Sequence, residues 1–173
     1  LVAVRVGAVN FGAAFLLWTY SNRLKQLPFV GNFTVALLTA ATLWVVVLYD
    51  PQNAPVVYTY SVFAFFITLV REIIKDMEDV RGDATFGCRT LPIVWGLRRT
   101  KHLLYVLVVA FVLSLFGFTY SLPNQVVWYF SLFVLPPMLW FVYRLQRADT
   151  RRDFGQLSQF CKTISVVGVL SMM

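Results

Sequence analysis

The sequence predicts an all-α fold, a polytopic bundle of transmembrane helices, and three observations support that fold class. Hydrophobic residues make up 59% of the 173 residues and charged residues only 13%, whereas a soluble domain carries about a quarter charged residues. The mean hydropathy is +0.71, and the apolar residues form long runs instead of alternating with polar ones. The cationic residues lie in short segments between these runs, which is typical of membrane proteins.

Six apolar stretches mark the predicted helices. Each is interpreted as a helix because backbone N–H and C=O groups in lipid must bond within their own segment. The first five approach the roughly 20 residues that a helix needs to cross a bilayer, whereas the sixth is too short. Pro136 and Pro137 are expected to kink the fifth helix. The stretches are Val2–Tyr20, Phe33–Tyr49, Val56–Ile74, Leu103–Tyr120, Val126–Tyr143 and Lys162–Met173.

The lysines and arginines predict the orientation of the helices. Segments 21–32, 71–101 and 144–162 contain all of them except Arg5, and the intervening loops around 50–55 and 121–125 contain none. Cytoplasmic loops are enriched in such residues, so the sequence predicts a multi-pass protein of the cell membrane with these three segments in the cytoplasm. The net charge of +7 does not indicate a nucleic-acid partner, because short loops of this kind cannot build a basic groove.

Four acidic residues follow the third stretch at spacings of four, three and four. A helix that continues past Ile74 would place all four on one face, where like charges repel. Carboxylates are ligands that Mg²⁺ takes together with substrate phosphates, and ionisable groups at a membrane boundary favour a functional interpretation. The alternative is a solvated helix end stabilised by pairs such as Lys75–Asp79. The residues of this acidic stripe are Glu72, Asp76, Asp79 and Asp83.

The segment that begins at Arg71 resembles the second aspartate-rich motif of the UbiA superfamily of intramembrane prenyltransferases, here placed at 71–92. It reads REIIKDMEDVRGD and is followed by Gly87 and by Thr-Leu-Pro-Ile from Thr90. The DxxxD pattern of the family falls on Asp79 and Asp83, so the resemblance implies that these two aspartates are catalytic and hold Mg²⁺. It also implies substrate contacts by three neighbours in the motif, namely Lys75, Asp76 and Arg89. Gly82 and Gly87 are expected to bend the chain where the motif helix ends.

A second segment, WTYSNRLK from Trp18, looks like the loop between the fourth and fifth helices of that family. The family has a tyrosine there and a lysine four residues later. Tyr20 matches the tyrosine, and either Arg23 or Lys25 takes the role of the lysine; the alternative is ordinary anchoring charge. Asn32 is either a polar contact in the same site or a turn residue.

The resemblance covers the whole chain, 1–173, as the last six of nine helices of one prenyltransferase domain. It implies Mg²⁺-dependent transfer of a polyprenyl group from an allylic prenyl diphosphate to a membrane-soluble lipid or aromatic acceptor, with release of diphosphate. The motif looks most like the branch that transfers a geranylgeranyl group to geranylgeranylglyceryl phosphate. The branches that prenylate 4-hydroxybenzoate, naphthoate, haem or chlorophyll precursors are alternatives.

Two further expectations follow from the motifs. The first aspartate-rich motif of the family, NDxxDxxxD, has no counterpart in these residues, so the chain alone is expected to be inactive. A transporter with a cation site is the alternative from another functional class. Transporters usually place ionisable groups near the middle of the bilayer. Apart from Arg71 and Glu72 at the end of the third stretch and Lys162 at the start of the sixth, only Arg5 lies within a predicted span.

Overall fold

The computed structural model describes residues 2–24, 27–49, 52, 54–118, 128, 132 and 134–170. These residues form six α-helices and no strand, so the all-α prediction is confirmed. The helices are α1 (Val2–Asn22), α2 (Val30–Tyr49), α3 (Ala54–Thr85), α4 (Leu91–Phe118), α5 (Leu135–Arg147) and α6 (Arg151–Leu170).

The central helix of the bundle is α3, which packs against α2, α4 and α6. Its side chains Ile67, Ile73 and Ile74 are almost completely buried, as are Phe111 of α4 and Phe154 of α6. Around this core, α1 packs against α2, and α5 contacts both α4 and α6. The acidic end of α3 is therefore held by helices on several sides.

Three of the described helices are long and apolar enough to cross a membrane. They are α2 over Val30–Leu48, α3 over Ala54–Thr85 and α4 over Leu91–Gly117. Large apolar side chains of α4, such as Val106, Val109 and Phe116, point away from the rest of the bundle. Lipid is the favourable surrounding for such a surface, so the chain is an integral membrane protein.

Two predicted loops are largely helical. Only residues 86–90 separate α3 from α4, and α6 begins at Arg151 instead of Lys162. The apolar run that ends at Ile74 marks the edge of the lipid and not the end of the helix. At the start of α6, Asp153 accepts hydrogen bonds from the hydroxyl and the N–H of Thr150. These bonds lower the pKa of the Asp153 carboxyl. Together with the reciprocal bond from the N–H of Asp153 to Oγ1 of Thr150, they form a capping box.

Of the prolines and glycines that were expected to bend the chain, only Gly87 does so where predicted. Pro136 and Pro137 lie in the first turn of α5, where a missing N–H and a fixed φ are tolerated. They do not kink the described helix, and the first part of the predicted fifth stretch lies outside the described residues. Gly82 lies inside α3, and Gly87 alone follows its end, with φ +70°.

The end of α3 is fixed by backbone hydrogen bonds around Gly87. The N–H of Cys88 donates to the carbonyl of Asp83 at 2.9 Å, and the N–H of Gly87 donates to that of Ala84 at 3.2 Å. This is the Schellman pattern, which needs a residue with positive φ after the helix. The turn brings the chain from Asp83 directly back to Thr90 and the start of α4.

Candidate functional site

The acidic stripe lies at the C-terminal end of α3. This helix has 32 residues, which at 1.5 Å per residue gives a length of about 48 Å, more than the roughly 30 Å of a bilayer core. The residues beyond Ile74 therefore extend past the apolar part of the span. Because the helix is continuous, Glu72, Asp76, Asp79 and Asp83 share one face, as predicted for a continuing helix.

Helix α2 contributes Asn32 to this face. The Nδ2 atom of Asn32 donates a hydrogen bond of 2.8 Å to Oδ2 of Asp76. Asn32 lies in the first turn of α2 and contacts a carboxylate 44 residues later in the chain. The structure therefore decides between the two interpretations of Asn32: it is a polar contact at the stripe and not a turn residue.

Helix α1 contributes Tyr20, which is half-buried. The phenol lies close enough to Glu72 and Asp76 for both charges to act on it. Three helices thus meet at one end of the stripe, with Tyr20 from α1, Asn32 from α2 and the carboxylates from α3. The two segments that were singled out in the sequence, around residues 20 and 76, are neighbours in the structure.

The lysine and arginine residues that the sequence suggested for the site contact the acidic stripe to different degrees. Lys75 is exposed on α3, and its charge acts on Asp76 and Asp83. Arg23 and Arg89 are exposed in the turns after α1 and α3, and neither contacts a stripe carboxylate within the part of the chain that the structure describes. Lys25 lies outside the described residues.

Asp79 has a partner that the sequence did not reveal. Nη2 of Arg151, in the first turn of α6, lies 3.4 Å from Oδ1 of Asp79. Asp79 therefore pairs with another helix instead of with Lys75, four residues earlier. The two residues are 72 positions apart, and the only sequence signal for Arg151 was its place in a cationic segment.

Asp79 and Asp83 are one helical turn apart, and each charge acts on the other. Beside Asp83 lies Thr90, whose buried hydroxyl acts on the Asp83 carboxyl. Two carboxylates that repel each other, next to a hydroxyl, form an all-oxygen donor set, which suits a hard cation such as Mg²⁺. Within the described ranges, no three acidic, histidine or cysteine side chains converge on one point. The two aspartates thus fit part of a coordination shell.

The comparisons with known proteins agree with this geometry. The model of the UbiA prenyltransferase family matches residues 1–163. The digeranylgeranylglyceryl phosphate synthase of Pyrococcus horikoshii is 40% identical over 110 residues, which cover 62% of this chain and 35% of the relative. The synthase of the same name from Thermococcus sibiricus is 29% identical over 166 residues, 94% of this chain and 57% of the relative.

A third relative of that name, from Methanosphaera stadtmanae, is 29% identical over 99% of this chain and 63% of its own length. The chain thus spans between about a third and two thirds of the length of these curated relatives. No solved structure matches it. Since the family model matches all but the last ten of the 173 residues, the chain belongs to the UbiA prenyltransferase family.

Proposed function

We propose that the protein containing this chain transfers a prenyl group from an allylic prenyl diphosphate to a membrane-soluble acceptor and releases diphosphate. The observation that carries the proposal is the pair Asp79 and Asp83, set beside the hydroxyl of Thr90 at the end of a membrane-crossing helix. A prenyl diphosphate has an apolar tail and an anionic head, so it needs a site at such a boundary. Residues 1–173 then form part of one prenyltransferase domain, and the rest of the domain supplies further metal ligands.

The chemical step is the cleavage of the allylic C–O bond, in which the electron pair leaves with the diphosphate. Mg²⁺ held by Asp79 and Asp83 would neutralise the charge that develops on that leaving group. Lys75, Arg89 and Arg23 supply positive charge at the same end of the bundle; Lys25, which lies outside the described residues, is the alternative to Arg23. Asn32 orients the carboxylate of Asp76, and Tyr20 lies beside it.

The acceptor then attacks the allylic carbon and loses its proton as the new bond forms. Apolar spans suit this step because they keep water from capturing the allylic cation. The names of the relatives favour a geranylgeranyl donor and geranylgeranylglyceryl phosphate as the acceptor. Acceptors related to 4-hydroxybenzoate, naphthoate, haem or chlorophyll are the alternatives within the family. We expect the segment 71–101 on the cytoplasmic side of the cell membrane, because its lysines and arginines are typical of cytoplasmic loops.

The transporter alternative has less support. A coupling-ion site is usually near the middle of the bilayer, whereas Asp76, Asp79 and Asp83 follow the apolar part of α3. A prenyltransferase needs these carboxylates to hold the metal during the chemical step itself. The effect of replacing them on prenyl transfer therefore distinguishes the two functions.

The test is to replace the two aspartates in the full-length protein. Asp79→Ala and Asp83→Ala should each lower prenyl transfer by at least about 10²-fold, because each removes several kcal/mol of charge stabilisation in the transition state. Asp76→Asn should have an intermediate effect, since Asp76 lies on the stripe but outside DxxxD. The measurement is transfer from radiolabelled geranylgeranyl diphosphate in membranes, titrated with Mg²⁺.

Glu78→Gln is the matched control. Glu78 is a carboxylate in the same turn of α3, but its side chain faces Gly155 of α6 instead of the stripe, so this variant should retain most of the activity. Full activity of both aspartate variants, or turnover that survives EDTA, would contradict the metal assignment. A loss of activity in Glu78→Gln equal to that in Asp79→Ala would show that general electrostatics, and not metal binding, causes the effect.

A further inference from the structure

A groove opens on the outer surface of α4, on a helix that does not carry the acidic stripe. It has a volume of about 440 Å³ and is lined by Trp95, Arg99, His102, Leu103 and Val106. Arg99 and His102 form its polar end. Leu103 and Val106 form its apolar end, at the start of the apolar stretch that the sequence predicts as the fourth span. The groove therefore has a polar end towards the membrane surface and an apolar end towards the interior of the membrane.

Next to Trp95 of the groove, helix α4 is interrupted at Gly96. This residue has φ 78° and ψ 159°, a conformation that strains any residue with a Cβ atom. The first turn of the helix, which ends at Trp95, is therefore set apart from the following turn, which carries Arg99. The carbonyl of Gly96 accepts a hydrogen bond of 2.9 Å from the buried hydroxyl of Thr100, which stabilises the interruption.

The orientation of His102 is fixed by the same region. Its Nδ1 atom lies 2.8 Å from the carbonyl oxygen of Arg98, and because a carbonyl only accepts, Nδ1 carries the proton. The other ring nitrogen, Nε2, is left without a partner among the described residues.

Arg99 is exposed, and none of the ion pairs of the described residues includes it. The nearby acidic residue Asp149 is paired with Lys101 at 2.9 Å. An arginine at a membrane boundary, above apolar side chains and beside a tryptophan, is suited to an anionic lipid headgroup. Val106 is 62% exposed and continues the apolar wall towards the lipid.

We propose that this groove binds an anionic phospholipid of the surrounding membrane. Arg99 contacts the headgroup phosphate beside the ring of His102, and one acyl chain lies against Leu103 and Val106. Trp95 closes the side of the groove at the depth where indole rings are stable in membranes. A soluble phosphate would use only the polar end and would leave the apolar wall uncovered. The proposal does not depend on the proposed prenyl transfer.

The test compares two adjacent arginines in the full-length protein, purified in detergent. Arg98 and Arg99 are both exposed, but only Arg99 lines the groove. Arg99→Gln should weaken the retention of phosphatidylglycerol at least about fivefold, since one charge near an anionic surface contributes ~1 kcal/mol. Arg98→Gln should change retention by less than about twofold. Native mass spectrometry with titrated phosphatidylglycerol or phosphatidylcholine measures the affinities.

Three outcomes would overturn the proposal. They are equal losses in the two arginine variants, no preference of the unaltered protein for phosphatidylglycerol over phosphatidylcholine, and displacement of the lipid by inorganic phosphate at comparable concentration. Val106→Asn provides a second test of the apolar end: it should weaken lipid retention while Arg99 is still present. Unchanged retention in Val106→Asn would also count against the site. Thermal midpoints of all variants verify that each is folded.

Discussion

The two long helices α3 and α4 both have the length and hydropathy of a membrane span, yet the bundle encloses them to different degrees. Half of the apolar window of α3 is buried, against 22% of that of α4. Helix α3 has neighbours on several sides, whereas α4 turns Val106, Val109 and Phe116 outward. Helices of similar hydropathy therefore differ in what their apolar side chains contact: those of α3 pack in the protein core, and those of α4 face lipid.

The charged ends of the two helices differ in the same way. The acidic end of α3 meets side chains of the chain itself, with Asn32 bonded to Asp76 and Arg151 paired with Asp79. At the basic start of α4, Lys101 pairs with Asp149, but Arg98 and Arg99 have no acidic partner in the part of the chain that the structure describes. The charges of α3 are thus organised within the protein, and those of α4 face its surroundings.

The largest expected effect is on the accessibility of these charged ends from one side of the membrane. In a background without Cys88 and Cys161, the variants Arg81→Cys and Arg151→Cys should react with an impermeant maleimide only after the membrane is opened, because their cationic segments are predicted to be cytoplasmic. Gln52→Cys, in the preceding connection, should react in intact cells. Labelling of Arg81→Cys and Arg151→Cys from opposite sides would exclude the pairing of Asp79 with Arg151.

The enclosure of α3 can be tested at Gly168 of α6, where an added Cβ would overlap the ring of Phe63. Gly168→Ala should destabilise the full-length protein by about 1–3 kcal/mol, the usual range for overpacking. Gly12→Ala is the control, because a Cβ on Gly12 in α1 meets nothing within 4 Å. That change should stabilise the helix by about 0.5–1 kcal/mol. The thermal midpoint in detergent measures both, and a shift in the same direction for the two variants would contradict the close packing of α3 and α6.

A smaller effect is expected from the hydrogen bond that orders the stripe. Asn32→Ala removes the donor to Asp76 and should cost about 1 kcal/mol of stability, together with a moderate loss of transfer activity. The control is Asn22→Ala, since Asn22 donates only to a carbonyl of its own helix, that of Trp18, in an exposed position. The same thermal midpoints measure this pair. If the two variants behaved alike, the carboxylates of α3 would not be held by α2 as described.

Much of the fold follows from local features of the sequence. The apolar runs predicted the helices, and the spacing of Asp76, Asp79 and Asp83 correctly predicted that they share one face. Both predictions depend only on residues that are close together in the sequence. The ends of the helices were less predictable. Hydropathy reports where lipid ends, whereas α3 stops at Thr85 because Gly87 and the bonds around it close the last turn.

The pairing of Asp79 with Arg151 could not be predicted, because it depends on how α6 approaches α3. That approach requires small residues on α6. A Cβ on Gly155 would lie 3.0 Å from Oε1 of Glu78, and one on Gly168 would meet Phe63. Neither glycine has a local signal that distinguishes it from an unpacked glycine such as Gly12. The roles of Asp79, Asp83 and Lys25 in the reaction stay predictions.

The continuity of α3 also has a mechanical consequence. A rigid helix that is longer than the bilayer core adjusts to a thinner or thicker membrane by tilting, and its protruding end then moves with the span. In α4, the interruption at Gly96 allows the first turn to keep its own angle to the surface. A change in membrane thickness would therefore displace Asp79 and Asp83 relative to Trp95, so that lipid chain length sets the height of the carboxylates above the interface.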